Sequence, residues 1–83
     1  MRVDFFVVAP MGSKYRHPVE MLHAIEEMSN IASITFQEPA TGELLVESDK
    51  PWRIRLQNGD MALMFKNILT AHYGLNIIEE RQM

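Results

Sequence analysis

The sequence predicts a small α+β domain, because strand-like and helix-like segments alternate along one short chain. Residues 3–9 form an almost continuous apolar run rich in Val and Phe, which is typical of a strand buried on both faces. Residues 52–57 alternate apolar with basic or polar side chains, as a strand with one face in the core does. Residues 18–29 and 61–73 carry apolar side chains at helical spacing, which predicts two amphipathic helices.

Length and composition restrict the class of protein. The 83 residues suffice for a single domain over 1–83, and 47% hydrophobic with 23% charged residues is an ordinary globular composition. The net charge of −3 lacks the large positive excess of a protein that binds duplex DNA. The absence of cysteine excludes disulfides, thiolate metal sites and cysteine nucleophiles. No apolar run approaches the about 20 residues of a membrane span, so we expect a cytoplasmic protein without a membrane partner.

The first strand leads into the first helix through a polar loop. The apolar run 3–9 ends at Pro10, and the loop extends to His17. Pro18 suits the first turn of a helix, where a missing N–H costs nothing, and the helical spacing continues to about residue 29. The side chains predicted to face the sheet are Met21, Leu22, Ala24, Ile25 and Met28.

The middle of the chain predicts two or three strands. Residues 31–38 alternate apolar and polar side chains, and residues 39–42 form a Pro- and Gly-containing turn. A second extended piece, 43–47, is followed by a break at Pro51. The sequence leaves open whether 43–47 is a strand of its own or part of one bent strand with 52–57.

The last part of the chain predicts a helix and a final strand. Residues 58–59 turn the chain, and Asp60 is a favourable N-cap for the helix 61–73. Gly74 stands where a left-handed C-terminal cap is expected, and the final strand covers 76–80. The side chains of the second helix predicted to face inward are Met61, Met64, Phe65, Ile68, Leu69 and His72.

The predicted order is β-α-β-β(-β)-α-β. Two helices on one face of a mainly antiparallel sheet bury the apolar side chains economically. Right-handed β-α-β crossovers then predict a ferredoxin-like two-layer sandwich, with the strands 3–9 and 52–57 at its centre. This architecture serves many unrelated functions, so it does not predict one.

The face of the sheet without helices is the main candidate for partner binding. If the apolar residues of 52–57 face the helices, Arg53 and Arg55 face away, and Phe6 and Val8 share their face. Apolar side chains on a central strand need a cover. A second copy in a homodimer, a protein partner, or a hairpin formed by residues 43–51 could each supply it.

Two other interpretations of this face remain open. Arginines beside an aromatic ring on an open sheet are typical of proteins that bind single-stranded nucleic acid, but Phe6 is the single aromatic residue assigned there and the chain is acidic, so nucleic acid is the less favoured partner. Alternatively the face is simply solvated, with Arg53 and Arg55 paired to Glu43 or Glu47.

The loop before the first helix is a candidate anion-binding site. It gathers a flexible glycine, a hydroxyl and cationic groups at a helix N-terminus, which favours anions. Its spacing matches no P-loop or dinucleotide-binding motif, so a solvated connection is the competing interpretation. The residues concerned are Gly12, Ser13, Lys14, Arg16 and His17.

The sequence contains no pattern that predicts catalysis or a cofactor. Glu20, His23 and Glu27 share one helix face, but one face alone is a poor metal site. Ser13 and His17 are the nearest approach to a nucleophile and base, and no acid is placed to orient the histidine. We therefore expect no metal, no cofactor and no enzymatic activity.

These observations favour a small non-enzymatic protein-interaction module. A regulator or inhibitor of a larger protein, of the kind that phages and mobile elements encode, fits the size and mild acidity, and self-association as a homodimer is compatible with it. The first alternative is a single-stranded nucleic-acid-binding domain that uses the open sheet face. The second alternative is a domain that binds a small anion at the N-terminus of the first helix.

Overall fold

The computed structural model describes residues 1–37 and 51–82 of the chain. The expected extended piece 43–47 and the turn 39–42 lie outside them. The helices and strands, in chain order, are β1 (Val3–Val8), α1 (Pro18–Ser29), β2 (Ile34–Gln37), β3 (Trp52–Leu56), α2 (Ala62–Asn67) and β4 (Asn76–Gln82). Short 3-10 turns precede both helices, and a π-helical turn, Ile68–His72, continues α2.

The described strands form one four-stranded sheet in the order β2-β3-β1-β4. Every neighbouring pair is antiparallel, and β3 and β1 occupy the two central positions, as predicted. A bulge interrupts the register of β1 and β4, where Phe6 pairs with Glu79 but Val7 pairs with Ile77. Ile78 is the extra residue, and its side chain is exposed. The chain is thus a small α+β domain with an antiparallel sheet and two helices, compatible with a two-layer sandwich.

The core lies between the sheet and the two helices. Alternate residues of the central strands point into it, and the rings of Phe5 and Phe65 pack with centroids 5.9 Å apart. This confirms the predicted inward faces of residues 3–9 and 52–57. The residues with 0% exposure are Val3, Phe5, Val7, Met21, Met28, Ile54, Leu56, Phe65 and Leu69.

Helix α1 buries a narrower stripe than predicted. Met21, Ala24 and Met28 are buried, as expected, whereas Leu22 is 44% exposed. Leu22 follows Met21 directly, so it lies about 100° around the helix from it. The prediction that Leu22 faces the sheet was wrong, because the contact with the sheet is not wide enough to include it.

The second helix departs from uniform α-helical spacing at its end. The N–H of Tyr73 donates to the carbonyl of Ile68 at 3.2 Å, an i→i+5 bond that closes a π turn. Such a turn contains more residues than an α turn, so each residue rotates the helix by less than the about 100° that the prediction assumed. Tyr73 is therefore buried, and the prediction that His72 faces inward was wrong, since His72 is exposed. The prediction for Met64 was also wrong: Met64 lies before the π turn, about 100° around the helix from the buried Phe65, and it is 44% exposed.

The cap at the C-terminal end of the second helix is the predicted one, whereas the cap at its N-terminal end is not. Gly74 adopts a left-handed conformation with φ of 65°, as predicted, and Leu75 then donates its N–H to the carbonyl of Leu69 at 3.0 Å. At the start, the side chain of Asn58 accepts from the N–H of Asp60 at 3.1 Å. Asp60 is thus not the N-cap that was predicted, because a 3-10 turn capped by Asn58 precedes α2.

Tyr73 joins the two helices. Its hydroxyl donates to the carboxylate of Glu27 at 3.1 Å, and the ring of Tyr15 packs against it edge-on at 5.5 Å. Burial, together with the bond to Glu27, raises the pKa of Tyr73 to about 12. The neutral phenol is therefore the form that the folded state accommodates.

This pKa predicts a specific loss of stability in alkaline solution. Because the pKa of Tyr73 is higher in the folded than in the unfolded chain, its contribution is complete below pH about 10 and is lost as the pH rises through about 12. Urea unfolding at a series of pH values should show this loss in the wild type and in Tyr15→Phe. Tyr73→Phe should lack most of it, and an unchanged alkaline loss in Tyr73→Phe would contradict the assignment.

Candidate partner-binding face of the sheet

The alternation of β1 divides its side chains between the two faces of the sheet. Val3, Phe5 and Val7 lie in the core, so Asp4, Phe6 and Val8 lie on the face turned away from the helices. The register places Arg55 opposite Asp4 and Arg53 opposite Phe6. The structure therefore brings the four predicted partner-binding residues, Phe6, Val8, Arg53 and Arg55, to one surface.

Strand β4 adds two charged residues that the sequence reasoning missed. Glu79 lies opposite Phe6 and Arg81 lies opposite Asp4. Glu80, between them, is directed to the helix side, where it pairs with the Nζ of Lys66 at 3.5 Å. The charges of 79–81 were visible in the sequence, but only the pairing of β4 with β1 shows which of them reach this face. We call the surface formed by Arg2, Asp4, Phe6, Val8, Arg53, Arg55, Glu79 and Arg81 the arginine face.

Asp4 is a buried carboxylate at the centre of the arginine face. It is 1% exposed, and Arg55 donates to both of its oxygens, with Nε···Oδ1 of 2.9 Å and a terminal N···Oδ2 distance of 3.1 Å. The Nε of Arg2 lies 3.8 Å from Oδ1. The hydrogen bonds from Arg55 hold the pKa of Asp4 below its usual value, although burial opposes this. Asp4 is therefore ionised at neutral pH and fixes the guanidinium of Arg55 through two hydrogen bonds.

Phe6 is covered by a guanidinium rather than open to solvent. The Cζ of Arg81 lies 4.9 Å from the centre of the Phe6 ring, within the range of a cation–π contact. Arg81 also donates to both carboxylate oxygens of Glu79, at 2.7 and 3.3 Å. The apolar ring that suggested an uncovered patch is thus partly shielded, and the described side chains of the arginine face are mainly charged.

Counted over residues 1–37 and 51–82, the arginine face carries more positive than negative charge, although the chain is negative. Four of the chain's eight Lys and Arg residues lie on it, with two of its eleven acidic residues, giving an excess of two positive charges on a chain of net charge −3. Asp4 and Glu79 are the partners of Arg55 and Arg81. Within 1–37 and 51–82, Arg53 forms no ion pair, and the buried Nε of Arg2 has no hydrogen-bond partner. Among the described residues, these two guanidinium groups are therefore the ones that carboxylates neutralise least.

The polar atoms of the predicted anion-binding loop are used to build the turn. Gly12 adopts φ of 84°, and the Oγ of Ser13 accepts from the N–H of Tyr15 at 3.2 Å. The Nδ1 of His17 accepts from the N–H of Val19 at 3.3 Å, so it caps α1. Ser13 and His17 thus satisfy backbone donors that an anion would otherwise bind.

The two cationic side chains of this loop also have contacts within the chain. Lys14 places its Nζ 5.1 Å from the centre of the Tyr15 ring. Arg16 donates to the carbonyl of Ala9 at 3.4 Å, which ties the loop to the end of β1. Anion binding by residues 12–17 stays a prediction, and the contacts account for the loop's composition without a ligand.

The other features that were weighed for chemistry lie apart from the arginine face. Glu27, one of the three α1 residues considered as metal ligands, accepts from Tyr73. Three or more His, Cys, Asp or Glu side chains do not gather as a potential metal site anywhere in the described ranges. None of the helices in that part of the chain has the length and apolarity to cross a bilayer. Comparison with protein families, with curated proteins and with solved structures finds no match for this chain.

Proposed function

We propose that the chain is a small non-enzymatic protein-interaction module that contacts its partner through the arginine face. The observation that supports this most directly is the concentration of four arginines on the open side of the sheet of an acidic protein. Arginine is enriched at protein interfaces because its planar group forms several directed hydrogen bonds. A regulator or inhibitor of a larger protein is the role that fits this size and surface.

The ion pairs within the arginine face support binding rather than catalysis. Asp4 is held by Arg55 and Glu79 is held by Arg81, so both carboxylates of the face are fixed in ion pairs. A general base needs an acceptor within reach of a substrate proton, and neither carboxylate is free to serve in that way. A set of oriented guanidinium groups instead provides donors to a bound surface.

A partner other than a second copy fits the charges better. Two copies that met through their arginine faces would bring together two surfaces that each carry an excess of positive charge. Like charges at an interface cost several kcal/mol, so homodimerisation through this face requires a neutralising group. We therefore propose a different protein as the partner.

Single-stranded nucleic acid is a second candidate for the same face. The observation in its favour is that Phe6 lies among Arg53, Arg55 and Arg81 on an open sheet, the combination with which such proteins stack bases and contact phosphates. It would be supported by binding of an oligonucleotide that weakens steeply with added salt.

We further propose that the two-layer arrangement is ferredoxin-like. The strand order β2-β3-β1-β4, with antiparallel neighbours and one helix in each crossover connection, supports this. In such a fold both helices cover one side of the sheet and leave the other side free, which is where the arginine face lies.

The experiment that tests the interaction role is a selection of peptides from a displayed random library against the folded chain. We expect sequences that bind the wild type and lose about tenfold or more in affinity with Arg53→Glu, as charge reversal at an interface requires. Glu26→Lys reverses a charge on the exposed side of α1 and is the matched control, with binding unchanged.

Two results would contradict the proposal. Selected peptides that respond to Glu26→Lys and not to Arg53→Glu would place the interaction on the helices. A selection that enriches no sequence, with an oligonucleotide bound instead, would favour the second candidate. Static light scattering of the same samples reports the mass, and a dimer dissociated by Arg53→Glu would make a second copy the partner.

A further inference from the structure

We infer that the segment bound by the arginine face is an extended, acidic stretch of the partner protein. This inference rests on the proposed function and specifies the chemistry of the partner. It follows from which guanidinium groups are already neutralised, from where the others lie, and from what covers Phe6.

The four arginines differ in how far the carboxylates of the described residues neutralise them. Arg55 is bound by both oxygens of Asp4, and Arg81 is bound by Glu79. Arg53 forms no ion pair with a carboxylate of the described residues, and Arg2 is 3.8 Å from a carboxylate that already binds Arg55. Arg53, and Arg2 through groups other than its buried Nε, can therefore bind a carboxylate from outside, and arginine binds carboxylates in a directed, two-bonded manner.

The register sets the spacing of these two arginines. Arg53 lies opposite Phe6, which is four residues along the chain from Arg2. At about 3.3 Å per residue this corresponds to about 13 Å along the strand direction. An extended peptide directs every second side chain to the same face, so acidic residues four positions apart reach both arginines. A peptide that alternates acidic and neutral residues meets this condition in any register.

The same face is poorly suited to nucleic acid. The ring of Phe6 is covered by Arg81, so a base could stack on it only by displacing an arginine that also binds Glu79. A bound peptide needs no stacking on Phe6, because its carboxylates bind the guanidinium groups directly.

The test is an amide NMR titration of the full chain with a synthetic peptide of alternating Glu and Thr. We expect shifts at residues of β1, β3 and β4 on the arginine face, with affinity that falls as salt is added. A peptide of alternating Gln and Thr is the control for strand pairing without charge, and an oligothymidine is the control for phosphate.

Variants locate the binding on the face. Arg53→Glu should weaken binding of the Glu–Thr peptide by about tenfold, and Arg53→Gln should weaken it less. Lys66→Glu makes the same change of charge on α2, on the other side of the sheet, and should leave the affinity nearly unchanged. The amide spectrum of each variant also shows whether it is folded.

Each other outcome overturns the inference. Equal binding of the Gln–Thr peptide would show recognition without charge and would leave the protein-interaction role in place. Stronger binding of oligothymidine would show that the arginine face binds nucleic acid rather than an acidic peptide. If no probe binds but the peptides selected from the displayed library still depend on Arg53, the acidic chemistry of the partner is refuted and the proposed function stands. If that selection also fails, the proposed function itself is refuted.

Discussion

Replacing Asp4 with asparagine is expected to lower the free energy of unfolding by about 3 kcal/mol, near the lower limit for breaking a buried ion pair. Asp4 is 1% exposed and binds Arg55 through both oxygens. Asparagine keeps the size but removes the charge, and its amide group presents donors to a guanidinium that is itself a donor. The loss should not be larger, because Arg55 keeps 23% of its side-chain exposure. Urea unfolding at neutral pH measures it.

A matched substitution on the same face separates the effect of burying an ion pair from the effect of removing a charge. Glu79→Gln makes the same chemical change in the pair with Arg81, whose side chains are about half exposed, at 46% and 57%, and it should alter stability little. If both substitutions destabilise the domain equally, or if Asp4→Asn has no effect, the buried carboxylate is not what orders the arginine face.

The effect of Asp4→Asn should also depend on pH in one direction. The pKa of Asp4 is lower in the folded chain than its ordinary value of 3.8, chiefly because Arg55 donates to it. Its contribution to stability is therefore complete above pH about 4 and is lost as the pH falls through the lowered pKa. The wild type and Asp4→Asn should consequently differ most near neutral pH and converge in acid.

The position of Asp4 links the stability of the domain to the charge of the arginine face. Asp4 neutralises one arginine at the centre of the face and binds it through two hydrogen bonds, and Glu79 does the same for Arg81 at the edge. The face can therefore hold four arginines on adjacent strands without the repulsion of four uncompensated charges. Among the described residues, two compensating carboxylates leave an excess of two positive charges on the face, and the proposed acidic segment would be recognised through this excess.

The sequence predicted the orientation of the central strands, because strand periodicity is local. Trp52, Ile54 and Leu56 alternate with basic residues, so they had to face the core, and Arg53 and Arg55 had to face away. The same alternation applied to 3–9 placed Phe6 and Val8 correctly. Because both strands were also predicted to be central, the sequence placed Phe6, Val8, Arg53 and Arg55 on one face of the sheet.

The sequence did not predict what organises that face, because the contacts are distant along the chain. Asp4 is one acidic residue inside an apolar run, and its partner Arg55 is 51 positions away. Arg81 reaches Phe6 through the pairing of the last strand with the first, in a register that a bulge shifts by one residue. No local sequence pattern indicates either the register or the bulge. The sequence therefore did not predict that Arg81 covers Phe6.

The end of the second helix was predicted incorrectly for a different reason. Uniform α-helical spacing placed His72 in the core, but the π turn Ile68–His72 reduces the rotation per residue. Tyr73 occupies the inward position instead. A π turn is stabilised by the packing at its end, here Tyr73 against Tyr15 and Glu27, and composition alone does not reveal it.

The largest single effect on stability is expected for Phe65→Ala, at about 4 kcal/mol. Phe65 has 0% exposure and packs against Phe5 on the central strand, so truncation leaves a cavity between the helix and the sheet. A domain of 83 residues has a total stability of about 4–12 kcal/mol. The variant should therefore unfold at a much lower urea concentration than the wild type, or be partly unfolded in its absence.

The neighbouring residue provides the control for this prediction and for the phase of the helix. Met64 was expected inside from uniform spacing, but it is 44% exposed, so Met64→Ala should cost much less than Phe65→Ala. Nearly equal losses would mean that the helix turns a different side toward the sheet. The arrangement of β4 that follows this helix, and with it the position of Arg81 over Phe6, would then have to change as well, because the π turn and Gly74 connect the two.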